Sequence, residues 1–316
     1  MEGDGARMER CRRWGAAGVR SRCALLHLVW VAAHVVLAGG CASVPQNTVD
    51  EMLKPSNERH WKANMAVLPY ARIRDDRVQV YNVRNCTYLS EDEYVLNYED
   101  RAYDLDEVET LDFIVCPFSE APGLAHTMLS FGFRDGAYLG VSIEVRLEEG
   151  EVYSAAGGTV RQFEIMYVVA DERDLIQLRT EVRQADVYIY RCRLTQDEVR
   201  ALLVDILKRV NTLRKRPEFY DTFMNNCTTN IVAHINRVRP GAIPWQPASF
   251  LTGYADREAY RLGLLIDYGS FEQTKRQAHI TSLAHRYAQQ PHFSAMIRSQ
   301  QSPTRLVGPP RGAQTR

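Results

Sequence analysis

The stretch from Ala125 to Leu147 constrains this chain more than any other. Two strand-like runs, Ala125–Phe133 and Tyr138–Leu147, flank Asp135-Gly136, a pair that favours the positive-φ backbone of a tight turn. A hairpin of this length commits the chain to antiparallel sheet. Further strands read on both sides of it. Arg77–Arg84 alternates polar and apolar residues, Asp112–Cys116 is a short apolar run ended by Pro117, and Phe163–Ala170 and Val187–Cys192 have the composition of buried strands.

Helices are read after these strands. Asp171 is placed to cap a short helix carrying Leu175, Ile176 and Leu178. Thr195-Gln-Asp-Glu198 is a capping box, and Val199, Leu202, Leu203, Ile206, Leu207 and Val210 follow at the helical period. A second helix begins near Cys227, carries Ile231, Val232, Ile235 and Val238, and stops at Pro240-Gly241. Segment 243–267, with Trp245, Phe250 and Tyr254, reads as loop-rich, and 270–300 as helical but weakly amphipathic. The expected fold is α+β: a mainly antiparallel sheet with helices packed on one side.

The chain has 316 residues, 45% hydrophobic and 25% charged, which is enough apolar content for a real core. Lys plus Arg and Asp plus Glu both number 39, so no net field draws it to nucleic acid, and no such partner is expected. Arg7 to Arg22 form a basic stretch, an apolar run covers Ala24–Ala38, and Gly39-Gly40-Cys41-Ala42-Ser43 follows. This reads as a signal peptide over 1–40, too short and interrupted for a membrane span. Cys41 after small residues resembles the lipidated cysteine of a bacterial lipobox. Ala38 stands where such a motif usually has Leu, so an ordinary cleaved signal is the alternative. The domain reading is then a linker over 41–64 from a lipid anchor, a core domain over 65–267, and a helical extension with a disordered tail over 268–316.

Of the seven cysteines, Cys86, Cys116, Cys192 and Cys227 lie beyond Cys41. None forms a Cys-x-x-Cys pair, so neither metal nor cofactor is expected. Cys116 and Cys192 lie in apolar runs, where a buried thiol is the common case. Cys86 follows a strand and nothing local primes it. Cys227 differs. Asn225 and Asn226 are favoured helix caps, so Cys227 falls in a first helical turn, where the backbone stabilises negative charge and hence the reactive thiolate. It lies four residues before Ile231 and faces inward with the apolar stripe. A small core residue would do the same, so spacing leaves both readings open.

A cysteine nucleophile needs a base. His234 sits seven residues along the same helix, roughly 10 Å away, too far to bond the sulfur. His60 lies in the linker, and His279, His285 and His292 in the weakly patterned end. His126, on the hairpin strand, is left as the candidate, against the reading of a structural strand histidine. Glu144 is the candidate to orient it. With a three-residue bulged turn at 134–136, position 126 faces 144; with a two-residue turn it faces Val145, and Glu144 is an exposed carboxylate beside Arg146. Arg173 and Asp174 read as a solvated charged face.

Five ordered stretches, Val83–Tyr88, Tyr98–Asp104, Ala125–Phe133, Asp171–Asp174 and Asn225–Thr229, carry a family likeness. The chain resembles, over roughly residues 65–265, the Lnb N-terminal periplasmic domain family, named for a lipoprotein N-acylating transacylase. That family is similar to circularly permuted NlpC/P60 cysteine enzymes with a papain-like fold, whose histidine strand precedes the cysteine helix, the order seen here. The resemblance implies Cys227 as nucleophile and His126 as base; Glu144 stays the candidate orienting group on the hairpin register. Tyr220 and Asn226, with the N–H groups at Cys227, are candidates for an oxyanion and substrate site. The implied reaction is acyl transfer through a thioester, with a lipid or lipoprotein substrate, at a membrane face of the periplasm. The alternatives are a thiol peptidase or amidase acting on cell-wall peptide, and a non-catalytic binding module. Relatives of this kind are expected to carry spanning helices, and the sequence shows no second long apolar stretch.

Overall fold

The computed structural model describes residues 54–244 and 252–301. The signal peptide, Cys41, Trp245, Phe250 and the tail from Ser302 lie outside them. A short helix, α1 (Ala63–Ala66), leads into β1 (Tyr70–Arg74), β2 (Arg77–Arg84), a small hairpin of β3 (Thr87–Tyr88) and β4 (Tyr94–Val95), and β5 (Tyr98–Asp104). Then come β6 (Val108–Phe118), β7 (Ala121–Phe133), β8 (Tyr138–Arg146), α2 (Ala155–Thr159), β9 (Glu164–Asp171), α3 (Glu172–Gln177) and β10 (Tyr188–Arg191). The helices α4 (Gln196–Lys215), α5 (Cys227–Val238), α6 (Ala255–Arg261), α7 (Phe271–Ala278), α8 (Thr281–Tyr287) and α9 (Phe293–Met296) complete the described chain.

The main sheet runs β1-β2-β9-β8-β7-β6-β10, with β5 also paired to β2. It is mixed, not antiparallel throughout: β2 meets β9 in parallel at Arg84↔Ala170. Helices cover both faces, which corrects the one-sided expectation. The strand residues of one parity (Leu111, Leu129, Phe131, Val141, Ile165) pack against Leu202, Leu203, Ile206 and Ile231 of α4 and α5. The other parity (Ile114, Met128, Met166, Val168) packs against Leu175, Ile280, Ala284 and Phe293. The alternation of a strand makes two such faces inevitable when every strand residue is apolar or paired.

The α4 capping box forms as expected, with Thr195 accepting from the Glu198 N–H and Glu198 accepting from the Thr195 N–H. Asp171 caps α3 through the Arg173 N–H at 2.9 Å. Residues 55–64, read as the end of a linker, are packed: Trp61 bridges Glu148, and the Arg146 guanidinium lies 4.1 Å from the Trp61 ring centre. Segment 271–297 does not trail away. Its short helices close one face of the sheet through Ile280, Ala284, Phe293 and Ile297. The expectation of weak amphipathicity is corrected: the helices are each one or two turns long, and Thr274 and Ala278 of α7 turn inward while Phe271, Glu272, Gln273 and Lys275 do not.

Candidate functional site

The first turn of α5 is built by asparagines. Asn226 caps it, its Oδ1 accepting from Thr229 N–H at 2.9 Å while Thr229 Oγ1 accepts from Asn226 N–H at 2.9 Å. The Asn226 amide donates to Thr222 O at 2.7 Å, and Asn225 donates to Phe219 O at 2.8 Å, pinning the loop before the helix. The Asn226 side chain is therefore engaged at both ends in holding the backbone. Cys227, 6% exposed, is the first residue of the helix. Its Sγ stands 3.9 Å from Thr228 Oγ1. The N–H groups of Cys227 and Thr228 are the helix's first and lack intrahelical acceptors by geometry, whereas that of Thr229 is taken by the cap. Tyr220 is buried close by, its ring set edge-on to Tyr153 at 6.4 Å. Burial, then the Cys227 charge, raises its hydroxyl pKa, so the phenol stays protonated and able to donate.

His126 is held from the neighbouring strand. The hairpin closes through Phe133 N–H to Ala137 O at 2.9 Å, with Gly136 at φ 86°. That is the three-residue turn with a bulge glycine, and it sets Met128 opposite Ser142. His126 Nε2 lies 2.7 Å from Ser142 Oγ and 3.7 Å from Glu144 Oε1. Ser142 donates to Glu144 at 2.6 Å, and Arg179 Nη2 donates to the same carboxylate oxygen at 2.8 Å. Burial works against the charged Glu144, but Arg179, followed by Arg84, holds it well below the usual carboxylate range. An ionised Glu144 only accepts, so Ser142 gives it its one proton and must accept from the ring. The ring proton therefore sits on Nε2, and Nδ1 carries the free lone pair. No described residue hydrogen-bonds Nδ1. Burial, with Arg179 adding repulsion, pushes the His126 pKa from 6.5 down to about 3, so the ring is neutral at neutral pH.

No hydrogen bond joins His126 to Cys227. Thr127, the next residue on β7, reaches Thr228 on α5 at 3.0 Å between hydroxyls, so by strand alternation His126 turns to the other side. The β7–β8 ladder ends at Met128↔Ser142, while β8 stays paired with β9 as far as Arg146. Cys116 sits across the β6–β7 ladder from His126. Burial pushes its pKa up to about 12, against the lowering effect of Arg179 and Arg183.

Several partners were not read from the sequence. Ser142 and Arg179 complete the His126 network, and Arg179 lies on a one-turn π-helix, Leu178–Val182. Asp174, expected on a solvated face, is buried: it takes Arg84 through both oxygens and accepts from Cys86 N–H at 2.7 Å. Arg146 does not pair with Glu144 but donates to Met65 O and Ala66 O. His234 is occupied by Asp205 at 2.6 Å and Tyr167 at 2.8 Å. Cys86, Cys116, Cys192 and Cys227 are all free thiols, and burial raises the pKa of the first three.

Alongside α5 lies a cavity of about 80 Å³. Thr228, Ile231, Val232 and Ile235 form one wall, Leu111, Phe113 and Leu129 of the sheet another, and Ala255, Ala259 and Leu262 of α6 a third.

Compared with known families, residues 94–252, about half the chain, match the Lnb N-terminal periplasmic domain, and the chain belongs to that family. The match starts at β4 and ends just before α6, taking in the His126 hairpin and the Cys227 helix. No curated protein and no solved structure matches. The family is one of periplasmic domains, and it identifies an envelope protein. Among the described residues no helix is long and apolar enough to cross a membrane.

Proposed function

We propose that this member of the Lnb N-terminal periplasmic domain family is a cysteine-dependent acyltransferase of the bacterial envelope, with a permuted papain-like arrangement of histidine strand and cysteine helix. The observation that carries the reading is the thiol of Cys227 on the first residue of a doubly capped helix, flanked by a strand that bears a neutral histidine with Nδ1 unclaimed. In the proposed cycle the ring keeps Nε2 on Ser142, Nδ1 meets the thiol beyond the end of the β7–β8 ladder once substrate is bound, and Nδ1 takes the thiol proton. Catalytic contacts commonly tighten only when substrate is bound. The thiolate attacks the ester carbonyl, and the oxyanion meets the N–H groups of Cys227 and Thr228 and the Tyr220 hydroxyl. As the intermediate collapses, the imidazolium returns its proton to the leaving alcohol and a thioester remains. An amine then attacks the thioester carbonyl, its nitrogen gives a proton to Nδ1 as the C–N bond forms, the C–S bond breaks, and the Cys227 thiolate takes that proton back from the imidazolium.

In this scheme Ser142 and Glu144 hold the Nε2 proton and offset the charge of the imidazolium. Arg179 keeps Glu144 ionised. Water in place of the amine gives the hydrolase reading. The apolar cavity beside Thr228 favours an acyl substrate over cell-wall peptide. Lipidation at Cys41 would keep the domain at a membrane face, near lipid or lipoprotein esters. The deciding experiment is the mass of lipoprotein N-termini in cells with wild-type protein or Cys227→Ala. The proposal requires the acyl pattern to change; an identical pattern removes it. Alkyne fatty-acid labelling tests the anchor, and a labelled band that survives Cys41→Ser would remove it.

A further inference from the structure

We infer that the cavity between α5, α6 and the sheet is a binding site for the alkyl part of an acyl group, about six to eight carbons deep. This deepens the acyl-transfer reading and rests on it for the identity of the ligand's reactive end. The site itself is argued from its walls. Thr228 and Glu258 are the polar lining residues, and everything between them is aliphatic or aromatic, apart from the Cys192 thiol. Thr228 belongs to the Cys227 end: its hydroxyl is 3.9 Å from the sulfur and is already bonded to Thr127. Glu258 stands at the α6 end, where it pairs with Arg261 on the surface. The interior thus offers water no partner, and such spaces stay dry and take apolar ligands.

The shape follows from helix geometry. Thr228, Ile231, Val232 and Ile235 are spaced three, four and seven residues on, so they form one stripe roughly 10 Å long. It starts one residue from the candidate nucleophile. A carbonyl carbon on Sγ would point its chain past Thr228 and along that stripe. The stripe sets the depth, since roughly 10 Å of helix runs beside about six to eight carbons of an extended chain. A longer chain must therefore leave the cavity past Ala259 and Glu258. Phospholipid acyl chains and lipoprotein acyl chains share this chemistry.

The test separates binding from turnover. Straight-chain carboxylates from butanoate to dodecanoate are titrated calorimetrically into Cys227→Ala protein. Affinity should rise about fourfold per methylene, to about eight carbons, and then level off. Ala259→Phe, which fills the cavity, should weaken octanoate at least tenfold and butanoate less than twofold. Leu262→Ala, which enlarges it, should move the plateau to longer chains and guards against a folding artefact in the filled variant. Equal affinity along the series, or a slope unchanged by both variants, overturns the site. In parallel, the wild type is assayed on p-nitrophenyl acetate and octanoate. A chain-length slope in binding with no Cys227-dependent ester turnover keeps the site and removes the acyl-transfer reading; turnover without any slope does the reverse.

Discussion

The two faces of the sheet are held by different physics. Toward α4 and α5 the contacts are mostly apolar, with Phe131, Val141 and Ile143 against Leu203, Ile206 and Ile231, and the buried polar contacts there, Thr127 with Thr228 and Tyr167 with His234, are hydrogen bonds between uncharged groups. Toward the C-terminal helices, apolar residues share the layer with buried charges. Arg84 pairs with Asp174, Arg179 with Glu144, and Arg298 with both Asp112 and Glu172. Apolar burial is non-directional and tolerates changes that keep volume. A buried ion pair offsets its own desolvation only when every partner is in place, but it fixes angles and distances. The candidate thiol comes from the first face and the histidine from the second. The directional face is where a ring tautomer has to be held.

The contrast breaks first at the nucleophile. Cys227→Ala should lower ester turnover at least about 10³-fold with little loss of stability, as read by initial rates and a melting curve. Faster labelling of Cys227 by iodoacetamide than of Cys86, Cys116 and Cys192, followed by peptide mass, should agree, and uniform slow labelling counts against a primed thiol. Next come the cores. Asp174→Ala strands the Arg84 charge and should cost about 3–5 kcal/mol in urea unfolding. Leu203→Ala on the apolar face should cost about 2–5 kcal/mol, and Leu203→Met less than about 1.5. If Asp174→Asn proves as mild as Leu203→Met, the contrast between the faces is wrong.

Ser142→Ala should lower kcat/KM by about 10²-fold and shift the pH profile, since the Nε2 proton loses its acceptor while the thiol is untouched. A loss of rate with an unmoved profile would make Ser142 a packing residue only. The smallest effect is on stability against pH. The His126 pKa is depressed on folding from 6.5 to about 3, so its contribution is complete above about pH 6.5 and fades as pH falls toward 3. Glu144, also depressed, adds a loss below the usual carboxylate range. Urea midpoints at pH 7 and pH 4 should converge in His126→Phe, and an unchanged decline would show that other groups carry it.

The sequence is legible where one short stretch decides the outcome. The Thr195–Glu198 box, the Asp171 cap, the Asn226 cap and the Asp135-Gly136 turn each settle in their own few residues. The turn length was the open choice, and the structure takes the three-residue form that brings Glu144 toward His126. Features that depend on distant pairing are not legible. Arg84 and Asp174 are 90 residues apart, and Arg298 and Asp112 are 186 apart. Nothing local marks Asp174 as buried, because a charge is hidden by its partner and not by its neighbours in sequence. Ser142 escapes for a similar reason: its role appears only when two strands and the π-turn meet.

The wide turn at Leu178–Val182 sets how this site tolerates change in chain length. A π-turn holds one residue more than an α-helical turn, as if a residue had been inserted without lengthening the helix. Deleting one residue there would draw the turn in to α-geometry with the flanking turns kept in register, and the residues inside the turn, Arg179 among them, would take new directions. Arg179 and Arg183 would then no longer present to the same place, and Glu144 would lose the guanidinium that keeps it charged. Most loops of such a domain can gain or lose a residue at little cost. This segment cannot, because here one residue of length is the difference between an anchored histidine and a free one.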